Sequence, residues 1–141
     1  GMWTGNPYKE YVGSADGFWG YGAYAESVNE LFVNRGIKTS IQRNMTVSQL
    51  AQNVLNGHPV VIWRRNDTGG ATTSIDWTAS DGTYVKAING QHGGVVTGFR
   101  GSVENPTAIF INDPWYGPHW KSVSDFDFKW SQLDRTGLIV Y

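Results

Sequence analysis

The stretch from Gln91 to Tyr116 constrains the fold more than any other part of the chain. It reads Gln-His-Gly-Gly-Val-Val-Thr-Gly-Phe-Arg-Gly, a short connection, then Ala-Ile-Phe-Ile-Asn-Asp-Pro-Trp-Tyr. Residues 95–99 and 108–111 are apolar runs of strand length, joined by 100–107. Paired as adjacent antiparallel strands, they bring His92, which enters the first run, close to Asp113, which leaves the second. An imidazole beside a carboxylate is two thirds of a nucleophilic triad. The chain contains no cysteine to complete it.

At 141 residues the sequence predicts a single domain over 1–141 with an ordinary hydrophobic core. Charged residues make up 16% and the net charge is −1. That balance gives no electrostatic case for nucleic acid or for an anionic membrane surface. No apolar run approaches the roughly 20 residues of a spanning helix, so no membrane insertion is expected. Without cysteine there are no disulfides and no thiolate metal sites. His58, His92 and His119 lack the spacing of a zinc site, and neither a metal nor a cofactor is expected.

Residues 1–22 read as a Gly-rich loop with exposed aromatics. From Ala23 onward Tyr24, Val28, Leu31 and Phe32 fall at helical spacing and predict a core-facing stripe, stopped by Gly36. A strand is expected over 37–41. Thr46 and Gln49 have the spacing of a capping box, followed by an apolar face of Val47, Leu50, Ala51, Val54 and Leu55. Residues 59–63 predict a buried strand. Asp81-Gly82 predicts a hairpin between 75–78 and 84–88. Residues after Trp115, with Gly117, Pro118, His119 and Trp120, read as an aromatic loop. Ser124 is expected to cap a helix over 125–133, and 138–141 to form a closing strand. Helices first and an antiparallel meander after them is the order of an α+β domain.

Histidine gives and takes protons near neutral pH, and the glycines beside His92 leave room for a close approach. Pro114 biases Asp113 to an extended backbone. Such an acid can fix the imidazole tautomer; equally, a polar pair at two strand ends can serve only its turns. Ser14, Ser27 and Ser48 lie in loop or helix contexts without an activating neighbour, which disfavours a serine nucleophile. Trp3, Tyr8, Tyr11, Phe18, Trp19, Tyr21, Trp115, Tyr116 and Trp120 fall in predicted loops. They fit either stacking on sugar rings or peptides, or the plugging of a loop-rich core.

Four segments carry a family resemblance. They are Gly5-Asn6-Pro7-Tyr8-Lys9-Glu10-Tyr11-Val12-Gly13 with Gly20-Tyr21-Gly22-Ala23-Tyr24-Ala25, then Asn56-Gly57-His58-Pro59-Val60-Val61-Ile62-Trp63 after its helix, then Gln91-His92 with Val95-Val96-Thr97-Gly98-Phe99, and finally Asn112-Asp113-Pro114-Trp115-Tyr116-Gly117 with Phe126 and Trp130. Together they resemble the bacteriocin-processing, double-glycine-type cysteine peptidases of papain-like fold, and more closely their free-standing Gram-positive relatives. The resemblance implies an antiparallel sheet packed with two or three helices. It implies His92 as general base, Asp113 as its orienting partner, and Gln91, Gly93 and Trp115 beside a peptide or protein substrate. Gln91 stands where relatives often carry an acid, and Gly93 where a small polar residue is common.

The family's nucleophilic cysteine and a preceding glutamine belong N-terminal to Gly5, where four residues stand. The expectation is therefore a domain without its catalytic helix, inactive as it stands, whose complete form hydrolyses peptide bonds through a thiolate–imidazolium pair. A homo-oligomer covering the face left by that helix is expected, with an extracellular or cell-wall location implied by the resemblance. The alternative is a non-catalytic module that binds peptides or cell-wall glycan.

Overall fold

The computed structural model describes residues 4–14, 20–68 and 72–141, and a six-stranded antiparallel sheet runs through them. The chain first makes a short pair, β1 (Val12–Gly13) with β2 (Gly20–Gly22), then helix α1 (Ala25–Val33). Next come β3 (Thr39–Gln42), helix α2 (Val47–Leu55) and β4 (Val60–Arg65). A small hairpin, β5 (Trp77–Thr78) and β6 (Tyr84–Val85), leads to β7 (Gln91–Gly101), β8 (Pro106–Asp113) and β9 (Gly117–Ser122). Helix α3 (Val123–Ser131) and β10 (Gly137–Val140) follow. The sheet order is β3-β10-β4-β7-β8-β9.

Alternation along the strands sorts side chains onto two faces. Val60 and Ile62 of β4, Val96 of β7, Ile109 and Ile111 of β8 and Ile139 of β10 form one buried face. Leu50 of α2 and Phe126 and Trp130 of α3 seal it, with the Trp130 indole N–H donating to the Thr136 carbonyl at 2.9 Å. The α2 capping box forms as the sequence predicts: the Thr46 hydroxyl accepts from Gln49 N at 3.1 Å, and Gln49 Oε1 accepts from Thr46 N at 2.9 Å. Gly94 is a packing requirement on this face, because a Cβ there would stand 2.9 Å from an Ile111 methyl. The opposite face is covered over β4 and β10 by Tyr21, Tyr24 and Ala25 and by the β5–β6 hairpin.

Several expectations are corrected. The described part of 1–22 is not all loop: Val12 and Tyr21 are buried in the β1–β2 pair. Tyr24 precedes α1 as its N-cap residue, and Leu31 points outward at 57% exposed, so the α1 stripe is narrower than its spacing suggested. Leu55, at the C-terminal end of α2, is 62% exposed. The supposed aromatic loop after Trp115 is the edge strand β9. Gly117 and Pro118 disguise it, although proline is tolerated on an edge. Ser122, not Ser124, caps α3, accepting from Asp125 N at 3.3 Å. The expected last strand forms as Gly137–Val140 and inserts between β3 and β4.

Two substitutions separate local from tertiary support. Thr46→Ala should cost about 1 kcal/mol through the lost cap. Ile111→Ala should cost about 2–5 kcal/mol, because it opens a cavity on the sealed face. Urea unfolding midpoints of the two variants check the order.

Candidate active site

Three strands end their buried face in an ionisable residue at the same end of the sheet. Along β4 the series is Val60, Ile62, Arg64; along β8 it is Ile109, Ile111, Asp113; β7 begins it with His92 before Gly94 and Val96. The β4–β7 register sets Arg64 directly opposite His92. The β7–β8 pairing then delivers Asp113 to the same corner.

The Asp113 carboxylate is fully engaged. Its Oδ1 accepts from the backbone N–H groups of Trp115 at 2.7 Å and Tyr116 at 3.0 Å, a local turn that fixes the carboxylate plane. Gly117, at φ 71°, then swings the chain back into β9. Oδ2 meets His92 Nε2 at 2.8 Å and accepts from Arg64 Nη2 at 3.2 Å. Burial by itself would raise the Asp113 carboxyl. The hydrogen bonds from His92 and from the Tyr116 and Trp115 backbone outweigh it and hold the acid below its ordinary range. An ionised carboxylate only accepts, so His92 Nε2 carries the proton of that bond, and Nδ1 of the neutral ring keeps its lone pair. The Trp115 ring lies tilted against the imidazole with centroids 4.5 Å apart.

Behind this pair Arg64 makes a second ion contact, donating to Asp67 Oδ1 at 3.0 Å. Asp67 also takes Lys121 and Lys129, each at 2.8 Å. Burial would raise the Asp67 carboxyl, but hydrogen bonds from Arg64, Lys121 and Lys129 drive it well below the usual carboxylate range. Neither Arg64 nor Asp67 was singled out from the sequence. The signal for Arg64 was its alternation with Val60 and Ile62; the contacts of Asp67 with Lys121 and Lys129 have no local signature.

A groove of about 1030 Å³ opens beside the corner and gathers all five residues anticipated from the sequence: Gln91, His92, Gly93, Asp113 and Trp115. Its floor is the less covered sheet face, with Trp63, Gly93 and Val95. At Gly93 a Cβ would come no nearer than 3.7 Å to the Ile62 carbonyl, so its missing side chain leaves open space. Gln91 Nε2 reaches toward the Ala23 carbonyl at 3.5 Å. Trp115 stands on the rim, 66% exposed.

The aromatics divide between the two earlier readings. Tyr8, Tyr21 and Tyr24 interlock edge-on with one another and with Trp77, and plug the core. Tyr11, Trp115, Tyr116 and Trp120 are exposed. Trp3, Phe18 and Trp19 lie outside the described residues. His58 packs against Tyr141, and His119 Nδ1 lies 2.8 Å from the Gly117 carbonyl. Among the described residues no group of three or more histidines and acids is placed to hold a metal ion.

Comparison with known proteins adds a family and a fold. The family model described as "Peptidase_C39 like family" matches residues 2–138. A crystal structure of a Bacillus anthracis protein assigned as a C39-like peptidase is similar at TM-score 0.79 and 22% identity. The match covers 97% of this chain and 69% of that one. At this identity the likeness speaks for the shared papain-like peptidase fold. No curated protein matches the chain.

The two carboxylates predict acid lability with a definite sign. Both are held below the ordinary value of 3.8, so near that value the unfolded chain binds more protons than the folded one. Their stabilisation is complete above about pH 5 and drains away as pH falls through the lower folded values. Urea midpoints measured from about pH 7 to about pH 3 should fall on the acid side, and less steeply in Asp67→Asn, which starts from a lower neutral stability.

Proposed function

The chain belongs to the peptidase C39-like family, and from that premise we propose that it supplies the histidine and aspartate of a papain-like cysteine-peptidase site. The observation that carries this reading is the buried 2.8 Å contact between His92 Nε2 and Asp113 Oδ2 at the end of an open groove. His92 is the general base and Asp113 its orienting partner. With Nε2–H committed to Asp113, Nδ1 takes the proton of a cysteine thiol and later returns it to the leaving amine. The thiolate attacks the peptide carbonyl, and water releases the acyl group. The 141 residues contain no cysteine, so the nucleophile in this reading comes from a segment outside them, and the chain alone is inactive. Gln91, Gly93 and Trp115 border the substrate.

A binding role without catalysis is favoured by one separate observation, the exposed Tyr11 and Trp115 that line the groove. The partly buried Val61 and Val95 in the groove also favour self-association of the isolated chain.

The deciding experiment joins the chain to the N-terminal, cysteine-bearing segment of a family member and adds a thiol-reactive peptide probe. We expect labelling, reduced by about 10²- to 10⁴-fold in His92→Ala. No labelling with the fold intact counts against the peptidase reading. Peptide retention by the unextended chain, lost in Trp115→Ala, would favour the binding role. Sedimentation should show a concentration-dependent dimer of the unextended chain; a strict monomer sinks the self-association.

A further inference from the structure

Arg64 has no place in the reading above, yet it is the best-anchored cation beside the pair. Its side chain is completely buried, in register opposite His92 and on the same sheet face. A guanidinium stays charged under all ordinary conditions, so a buried one must be met by carboxylates. Arg64 meets two. Nη2 donates to Asp113 Oδ2 at 3.2 Å, the same oxygen that faces His92, and Nη1 donates to Asp67 Oδ1 at 3.0 Å. Nη1 also reaches the Arg65 carbonyl at 3.2 Å, whereas Nε has no hydrogen-bond partner among the described residues. Nη2 also donates to Asp67 Oδ2 at 3.4 Å, so the fork grips Asp67 with both ends and reaches Asp113, at the groove, with one.

We propose that Arg64, moored by Asp67, is a positioning residue that holds Asp113 as an oriented acceptor and thereby fixes His92 in its Nε2–H tautomer. This rests on the reading of His92 and Asp113 as base and orienting partner. Two backbone N–H groups fix Oδ1, but Oδ2 is the oxygen that matters to the imidazole, and Arg64 is its second donor. A permanent cation at that oxygen keeps Asp113 an acceptor whether or not the imidazole is protonated. It also opposes rotation of the carboxylate about its bond to Cβ. Asp67 keeps the guanidinium from following the carboxylate, because Lys121 and Lys129 pin Asp67 in turn. Without Arg64, Oδ2 has a free lone pair and an uncompensated buried charge, and a proton or a water becomes a competing partner.

The test needs neither a nucleophile nor a substrate. The chain, labelled with ¹⁵N in its histidines, is observed by NMR at neutral pH, following the tautomer of His92 and the exchange of its Nε2 proton. Wild type should show one tautomer with a protected Nε2–H. Arg64→Met, with the fold checked by circular dichroism, should show mixed tautomers and exchange roughly tenfold faster. Arg64→Lys, which restores a charge without the fork, should recover part of the protection. Asp67→Asn retains the arginine but loosens its mooring and should accelerate exchange as well, so a misfolded Arg64→Met leaves this variant to decide. An unchanged tautomer and exchange rate in folded Arg64→Met, or in Asp67→Asn if the first does not fold, overturns the proposal and leaves the peptidase reading intact. A wild type without the protected Nε2–H overturns both.

Discussion

One carboxylate with four donors holds the corner of this molecule together. Asp113 receives two backbone N–H groups on one oxygen, and His92 with Arg64 on the other. The four donors come from three structural decisions: the turn after β8, which supplies two, the start of β7 and the end of β4. Burying a guanidinium and a carboxylate this deeply is tolerable only if both are paired and hydrogen-bonded. A slip of one residue in β4 or β7 would turn Arg64 or His92 onto the other face and leave Asp113 buried with an incomplete set of partners. The ionic corner therefore fixes register where apolar packing alone would admit several sliding solutions.

The same corner marks a boundary between two unlike sheet faces. One is sealed by α2 and α3 with large side chains such as Leu50, Phe126 and Trp130. The other is covered over β4 and β10 but thins out toward β7 and β8, where Val95 is half-buried and Thr97 and Asn112 are exposed. His92 and Asp113 hang from the sealed face at the end of the sheet, and the groove on the other side reaches around to them. A rigid, dry support on one side and access on the other is what the proposed proton transfer by this pair requires.

His92 and Asp113 were legible in the sequence because each adjoins an apolar run that can only be a strand, and two consecutive strands usually pair. The α2 capping box was legible for a similar reason, since Thr46 and Gln49 act over one helical turn. Arg64 was missed because β4 reads as a continuous apolar run through Trp63, and two arginines after it look like an exit to solvent. Strand alternation carries that information, but only once β4 is known to continue to Arg65. Asp67 was beyond reach, because two of its three cationic partners lie far along the chain on β9 and α3, and the third, Arg64, was itself missed. Strand β9 was hidden by glycine and proline, which signal turns unless an edge position is already known. Leu31 and Leu55 show the opposite failure, a clean helical stripe wider than the surface available to cover it.

The place of β10 has a consequence for how the molecule assembles. Strands β3 and β4 do not touch as neighbours; β10 bonds to both, pairing Leu138 with Ile41 on one side and Val61 on the other. The sheet is thus a sentence whose middle word is spoken last. Until residues 137–140 arrive, β3 has no ladder to join and the β4 edge facing it is bare. The β4–β7–β8–β9 part of the sheet needs no residue of β10 for its own ladders. Closure then waits on a contact across nearly a hundred residues of chain, roughly the kind of long loop whose ends meet slowly. A shortened or frayed last strand would split the sheet in two, releasing β3 with α1 while sparing the corner that holds His92.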